Sequence, residues 1–167
     1  MDNAAVMKML KEGPDAGKKD RGAEKKLSKY VIFAIGERHF ALPAGLVREI
    51  SFENELYYVP FLPPYVRGYA NRHGQPYTVL DLRMFFTKKA LDSTALLILN
   101  VENDQLALLI SDVDEIVKVP EDAIHALASE DESAKYFAHS VSVNGQEIFT
   151  LSVETLIKRL ERDVERS

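Results

Sequence analysis

The side chains that could do chemistry are few and scattered. His39, His73, His125 and His139 are the four histidines of a 167-residue chain, and none stands near another at a metal-ligand spacing. Serine, histidine and aspartate all occur, but no Gly-x-Ser-x-Gly context marks a nucleophile. Gly13, Gly17 and Gly22 lack the strand–turn–helix setting of a phosphate cradle. Strand alternation would put Asp112 and Asp114 on one face beside Glu115, yet the loop of a calcium site is missing. A solvated strand edge blunted by charge accounts for that cluster. The chain has no cysteine, which excludes disulfides, thiolate zinc sites, iron–sulfur clusters and a cysteine nucleophile. No catalytic residue, metal or cofactor is expected. The enzymatic alternative would use His73 with Asp81, for a substrate that cannot be named.

The elements that would position these residues are short and β-rich. Tyr30 to Ile35 is aromatic and β-branched, and Gly36-Glu37-Arg38 turns it into His39 to Leu42. Leu46 to Phe52 alternates as a half-buried strand does. A loop closed by Pro60, Pro63 and Pro64 follows. Tyr65–Arg72 and Pro76–Leu82 then flank the hairpin signal His73-Gly74-Gln75, and Arg83 to Lys88 reads as a bridge. The second half has hairpins around Asn103-Asp104 and Asn144-Gly145, the latter the strongest short turn cue in the chain. Pro120-Glu121-Asp122 predicts the start of a short helix. Val153, Leu156, Ile157, Leu160 and Val164 share one face at helical spacing, which predicts a closing helix with Glu154 and Lys158 paired outside.

Residues 1–28 differ in kind. Glycines and Pro14 break any helix there, and seven Lys/Arg stand against five Asp/Glu. This segment reads as a disordered tail; the alternative is a docking segment using the apolar turn Val6, Met7, Met9 and Leu10. The domain is placed at 29–160, and 161–167 is read as the end of the closing helix.

Laid over itself at an offset of 66, the chain matches Ala41 with Ala107, Leu42 with Leu108, Val47 with Val113, Glu49 with Glu115 and Ile50 with Ile116. At an offset of 71, Gly74-Gln75 faces Gly145-Gln146 and Leu80 faces Leu151. Two related β units in tandem, packed as two small barrels, follow from this repetition.

Charge narrows the partners. The formal net charge is −5, and the tail carries a net positive share, so the folded part is more acidic than the whole. An acidic β-barrel protein binding single-stranded nucleic acid is the alternative reading, with Tyr65, Tyr69, Tyr77, Arg67, Arg72 and Arg83 as a local basic–aromatic set. The overall charge opposes it. No apolar run approaches the roughly 18 residues of a membrane span, so direct membrane insertion is not expected. A soluble, cytoplasmic protein is expected.

Two segments carry a family likeness. Phe33-Ala34-Ile35-Gly36-Glu37, Ala41-Leu42-Pro43 and Val47-Arg48-Glu49-Ile50, followed by Arg67-Gly68, Asn71, Gly74 and Asp81-Leu82-Arg83, resemble in order and spacing the CheW-like domain of bacterial chemotaxis signalling. The resemblance extends from about Ser28 to Leu160. It implies a mainly β fold of two intertwined five-stranded, SH3-like barrels with short helices and a C-terminal helix. It also implies a non-enzymatic adaptor between the cytoplasmic tip of a methyl-accepting chemoreceptor and the regulatory domain of a CheA-type histidine kinase, at membrane-associated receptor arrays.

Carried over residue by residue, the resemblance gives Val47, Glu49, Gly68 and His73 as partner-binding positions. The residues themselves leave alternatives open. Val113 mirrors Val47 and Glu115 mirrors Glu49, so both could serve the barrel, and Gly68 marks either an internal bulge or a close approach by another chain. At His73 this chain departs from the family, reading Asn71-Arg72-His73-Gly74 where Asn-Leu-Arg-Gly is usual. Strand alternation would turn Arg72 away from the face that His73 occupies, so Arg72 is not expected to replace the usual arginine. Met84-Phe85-Phe86-Thr87 also lacks the small residue usual after the Asp-Leu-Arg motif, and the two departures suggest an unusual chemosensory branch.

Overall fold

A computed structural model describes residues 26–128 and 131–166. The reading of residues 1–25 as a tail lies outside the described residues. Among the described residues eleven strands form two sheets: β1 Leu27–Ile35, β2 Arg38–Pro43, β3 Val47–Ser51, β4 Val66–Arg72, β5 Gln75–Leu80, β6 Ala95–Leu99, β7 Leu106–Ile110, β8 Asp112–Pro120, β9 Ile124–His125, β10 Phe137–Val143 and β11 Gln146–Leu151. Among the described residues two α-helices, α1 Leu82–Thr87 and α2 Val153–Glu165, join them, with single 3-10 turns at Ala44–Leu46, Glu121–Ala123 and Glu132–Tyr136.

Strand β1 starts at Leu27, opposite Pro120, so the folded part begins before the boundary read from composition. The Pro120 signal gives only the single 3-10 turn, with the proline preceding its first residue. Arg83–Lys88 is no bridge but most of α1, whose first turn is capped where the Asp81 carboxylate accepts the Met84 N–H at 3.0 Å. His73-Gly74 and Asn144-Gly145 both turn with positive φ, the conformation that suits a two-residue hairpin loop.

The duplication is structural. The first sheet runs β8-β1-β2-β11-β10-β9 and the second β3-β6-β7-β5-β4. Strands β1 to β5 correspond to β6, β7, β8, β10 and β11, so each sheet takes the first two strands of one repeat and the last three of the other, and the short β9, without a counterpart, adds a sixth strand to the first sheet. The two units are therefore intertwined. Registers agree at both offsets. Phe149 pairs with Phe40 and Thr150 with Ala41, as Thr78 pairs with Leu106 and Val79 with Ala107. One bulge skips Arg48 between β3 and β6, and its counterpart skips Asp114 between β8 and β1.

Neither sheet closes by a hydrogen-bonded ladder; each is an SH3-like subdomain in which an edge strand approaches a strand at the opposite end of the sheet. β8 touches β10 in one, and side chains bridge β3 to β4 in the other. The main core spans both subdomains. Strands β6 and β7 are buried on both faces, which is why Ala-Leu-Leu-Ile-Leu and Leu-Ala-Leu-Leu-Ile show no alternation. A smaller cluster of Tyr30, Ile32, Ala41, Val119, Val141 and Ile148 fills the six-stranded subdomain.

Candidate functional site

Glu49, on edge strand β3, meets Arg72 and His73 at the tip of the β4–β5 hairpin. Arg72 donates through Nε to Glu49 Oε1 at 2.9 Å and through Nη2 to the same oxygen, while His73 Nε2 lies 3.3 Å from Oε2. The expectation that Arg72 faces away is corrected here. His73 has a φ of 53°, so strand alternation ends at Arg72 and the turn brings both side chains to one carboxylate. Arg72 thus supplies the guanidinium one residue early.

The clasp also answers what the repeat left open. The counterparts of Arg72 and His73 are Val143 and Asn144, so the barrel architecture does not require a charge partner opposite Glu115. Glu49 belongs to an arrangement found in one subdomain. Burial on its own would push its carboxyl up, but hydrogen bonds and charge from Arg72 and His73 outweigh it and hold it below the ordinary range. A depressed folded-state value contributes stability above the unfolded value, and this stability is lost as pH falls through the folded one. We predict that Arg72→Leu lowers stability at neutral pH by about 0.5–1 kcal/mol, the scale of a partly exposed pair. The variant should also lose less stability than the wild type as pH falls through the Glu49 titration, as read from urea midpoints at a series of pH values. Parallel curves would remove the clasp as a stabilising element.

Gly68 has a φ of 121°, and a Cβ there would lie 2.0 Å from the Tyr57 carbonyl oxygen. The close approach is made by this chain itself. Tyr57 and Tyr69 exchange two backbone hydrogen bonds, at 2.8 and 2.9 Å, and stack their rings at 5.1 Å. They pin the 52–65 loop across β4. Phe52, Tyr58 and Phe61 stand out from that loop, with Phe61 at 90% exposure. Composition gave the loop only its closing prolines, and the clustered Tyr57, Tyr58 and Phe61 were the signal that went unread. Val47 is half-buried and packs against the main core at the start of β3. The structure therefore brings Glu49 and His73 together, puts Val47 on the same strand as Glu49, and places Gly68 farther down β4 beneath the loop.

Several other polar groups are engaged within the chain itself. Asp81 is fully buried and accepts from Arg67 Nη1 and the Leu91 N–H, both at 2.9 Å. It sits at the far end of β5 from His73, so the pair proposed for an enzyme is not assembled. Most of the basic–aromatic set is also internally engaged. Arg67 binds Asp81, Arg72 binds Glu49, Tyr77 accepts from Arg48 at 3.0 Å, and Tyr65 donates to Asp163 at 2.7 Å. Tyr65 and its repeat counterpart Tyr136 line a cleft of about 930 Å³, where Arg159 bridges Asp163 and the Tyr136 hydroxyl. Burial, then the Asp163 carboxylate, pushes the Tyr65 phenol well up from its ordinary value. Among the described residues, no three His, Cys, Asp or Glu gather as a metal site would require.

Two interlocked SH3-like subdomains with engaged polar groups, a clasped edge and an aromatic loop define a β-sheet scaffold. The family model for the CheW-like domain matches residues 29–161, and the chain belongs to that family of chemotaxis adaptors. A crystal structure of scaffolding protein TtCheW from Thermoanaerobacter tengcongensis superposes with a TM-score of 0.68 at 20% identity, covering 76% of this chain and 90% of that one. No curated protein matches the sequence.

Proposed function

We propose that this chain is a non-enzymatic adaptor coupling the cytoplasmic tip of a methyl-accepting chemoreceptor to the regulatory domain of a CheA-type histidine kinase. The observation that carries this reading is the family match over residues 29–161, which takes in both subdomains and most of α2. Val47, Glu49, Gly68 and His73 are the proposed contact positions. His73 is the most available, with 76% of its side chain exposed at the hairpin tip. Gly68 acts by letting the 52–65 loop lie flat on β4, so its contribution to a partner passes through the loop. The receptor's helical tip is assigned to the groove between the subdomains and the kinase to exposed strand ends. No helix among the described residues is long and apolar enough to cross a membrane, and the chain is placed at receptor arrays by its partners. Each contact would be modest, with strength arising from repetition across the array.

The nucleic-acid alternative is disfavoured, because two of the three arginines it needs, Arg67 and Arg72, are tied to carboxylates of this chain. The test is a pull-down with purified kinase regulatory domain and a soluble receptor fragment. Retention of both is expected, and retention of neither by the folded chain removes the proposal.

A further inference from the structure

The cleft of about 930 Å³ beside Tyr65 and Tyr136 is walled by the 61–65 segment, α1, the Glu132–Tyr136 turn and the C-terminal half of α2. Six charged residues line it: Lys88, Arg159 and Arg166, against Asp131, Glu132 and Asp163. Formal charge is therefore balanced, but hydrogen-bonding capacity is not. The carboxylates are spent within the chain. Asp163 accepts from Tyr65 at 2.7 Å and from Arg159 Nε at 2.8 Å, Glu132 pairs with Lys135 Nζ at 2.6 Å, and Asp131 is engaged as well.

The donors have capacity to spare. Lys88 and Arg166 make no ion pair among the described residues. Arg159 gives Nη1 to the Tyr136 hydroxyl at 2.6 Å, and its Nη2 finds no acceptor among those residues. Tyr136 is only 4% exposed, and because its hydroxyl accepts from Arg159, its own proton is left without a described acceptor. Arg159 is also fixed in place, since its guanidinium lies 5.3 Å from the centre of the Phe85 ring as well as against Asp163 and Tyr136. A guanidinium anchored in this way loses little further freedom on taking up an anion.

The rest of the lining is apolar, with Leu62, Met84 and Phe86 inside and Phe61 at the mouth. Phe61 is 90% exposed on a backbone with φ of 65°, a conformation that a bulky side chain rarely adopts. Strained residues of this kind cluster at ligand sites. None of the lining residues belongs to a strand, so the cleft offers no row of backbone partners to an extended peptide. Its polar groups converge on Arg159 and Tyr136 instead, as suits a small molecule with a single head.

We propose that this cleft binds a small organic acid, a carboxylate carried on an aromatic body. The carboxylate accepts from the Tyr136 hydroxyl and Arg159 Nη2, the ring lies against Phe61 and Met84, and Lys88 and Arg166 add positive charge at the rim. The inference is independent of the adaptor reading and is tested without receptor or kinase.

The probe is hydrocinnamate, titrated into the isotope-labelled full chain and followed by amide NMR. Saturable shifts are expected at Met84, Phe86, Lys88, Ser133 and Tyr136, with the His73-Gly74 hairpin unmoved. Hydrocinnamamide, the same body without the charge, should bind at least about tenfold more weakly, the scale of charge-assisted hydrogen bonds. Acetate, the head alone, should give no saturable shift. Tyr136→Phe keeps the ring and removes one donor, and should weaken hydrocinnamate binding about tenfold. Phe61→Ser alters only an exposed side chain, so it keeps the fold and should weaken binding several-fold even if Tyr136→Phe does not fold. Equal affinity for acid and amide would overturn the proposal. So would unchanged binding in either folded variant, or shifts that spread over the surface without saturating.

Discussion

Replacing Asp81 with alanine is expected to cost at least about 3 kcal/mol of folding stability, the scale of breaking a buried ion pair from one side. The carboxylate has no solvent exposure and serves three donors at once: Arg67 Nη1, the Leu91 N–H and the Met84 N–H that begins α1. Alanine would leave the Leu91 amide without its acceptor in the interior, a penalty of about 1–3 kcal/mol in itself. Loss of the cap adds about 1 kcal/mol. Arg67 is about one-third exposed and can turn toward water, which limits its share. Against a total stability of about 5–15 kcal/mol for a domain of this size, the variant should be marginal at 37 °C. Urea denaturation reads the effect as a lower midpoint with an unchanged slope. Asp81→Asn keeps an acceptor while losing the charge, and should fall between wild type and alanine. A shift under 1 kcal/mol for Asp81→Ala would show that the network contributes little.

The second large effect is expected at Gly68. A methyl group there meets the Tyr57 carbonyl at 2.0 Å and the Tyr58 Cα at 3.1 Å, on a backbone with φ of 121°. Side-chain-bearing residues pay about 1–3 kcal/mol for such a conformation, and relief of the overlap breaks the two Tyr57–Tyr69 hydrogen bonds. Gly68→Ala should therefore destabilise by about 2–4 kcal/mol, combining strain with those bonds. The damage should centre on the 52–65 loop. Amide exchange at Tyr57 and Tyr69 should accelerate strongly while exchange in β6 and β7, deep in the core, follows only global stability. On the proposed adaptor function, a charged residue at this position is expected to weaken partner binding by displacing the loop. Weakened binding with exchange at Tyr57 and Tyr69 unchanged would instead make Gly68 a direct contact.

Much of the architecture could be read from local pattern. The hairpins at His73-Gly74 and Asn144-Gly145 follow from turn chemistry, and α2 follows from the spacing of Val153, Leu156, Ile157 and Leu160. The repeat at offsets of 66 and 71 foretold two related β units, and the equivalent registers of β11 with β2 and of β5 with β7 agree with it. What repetition could not convey is the exchange of strands, because β3 is identical in sequence whether it pairs within its own repeat or, as here, with β6 of the other. Non-local pairing leaves no mark on local periodicity. Helix α1 is not legible in local pattern for a different reason. Six residues are too few to show a helical period, and the Asp81 cap was read within a motif instead of as a start signal. The clasp turns on one bond: strand alternation predicts opposite faces for Arg72 and His73, whereas the left-handed conformation of His73 ends the strand between them. The resemblance named Glu49 and His73 together. Only the turn geometry shows that Arg72 holds the carboxylate.

An adaptor of this kind must bind two partners through separate surfaces at the same time. Sedimentation of the purified chain with a soluble receptor-tip fragment and a CheA-type regulatory domain tests this most directly. The account predicts a binary complex with each partner and a ternary complex when all three are mixed. A folded chain that sediments alone in every mixture would contradict it.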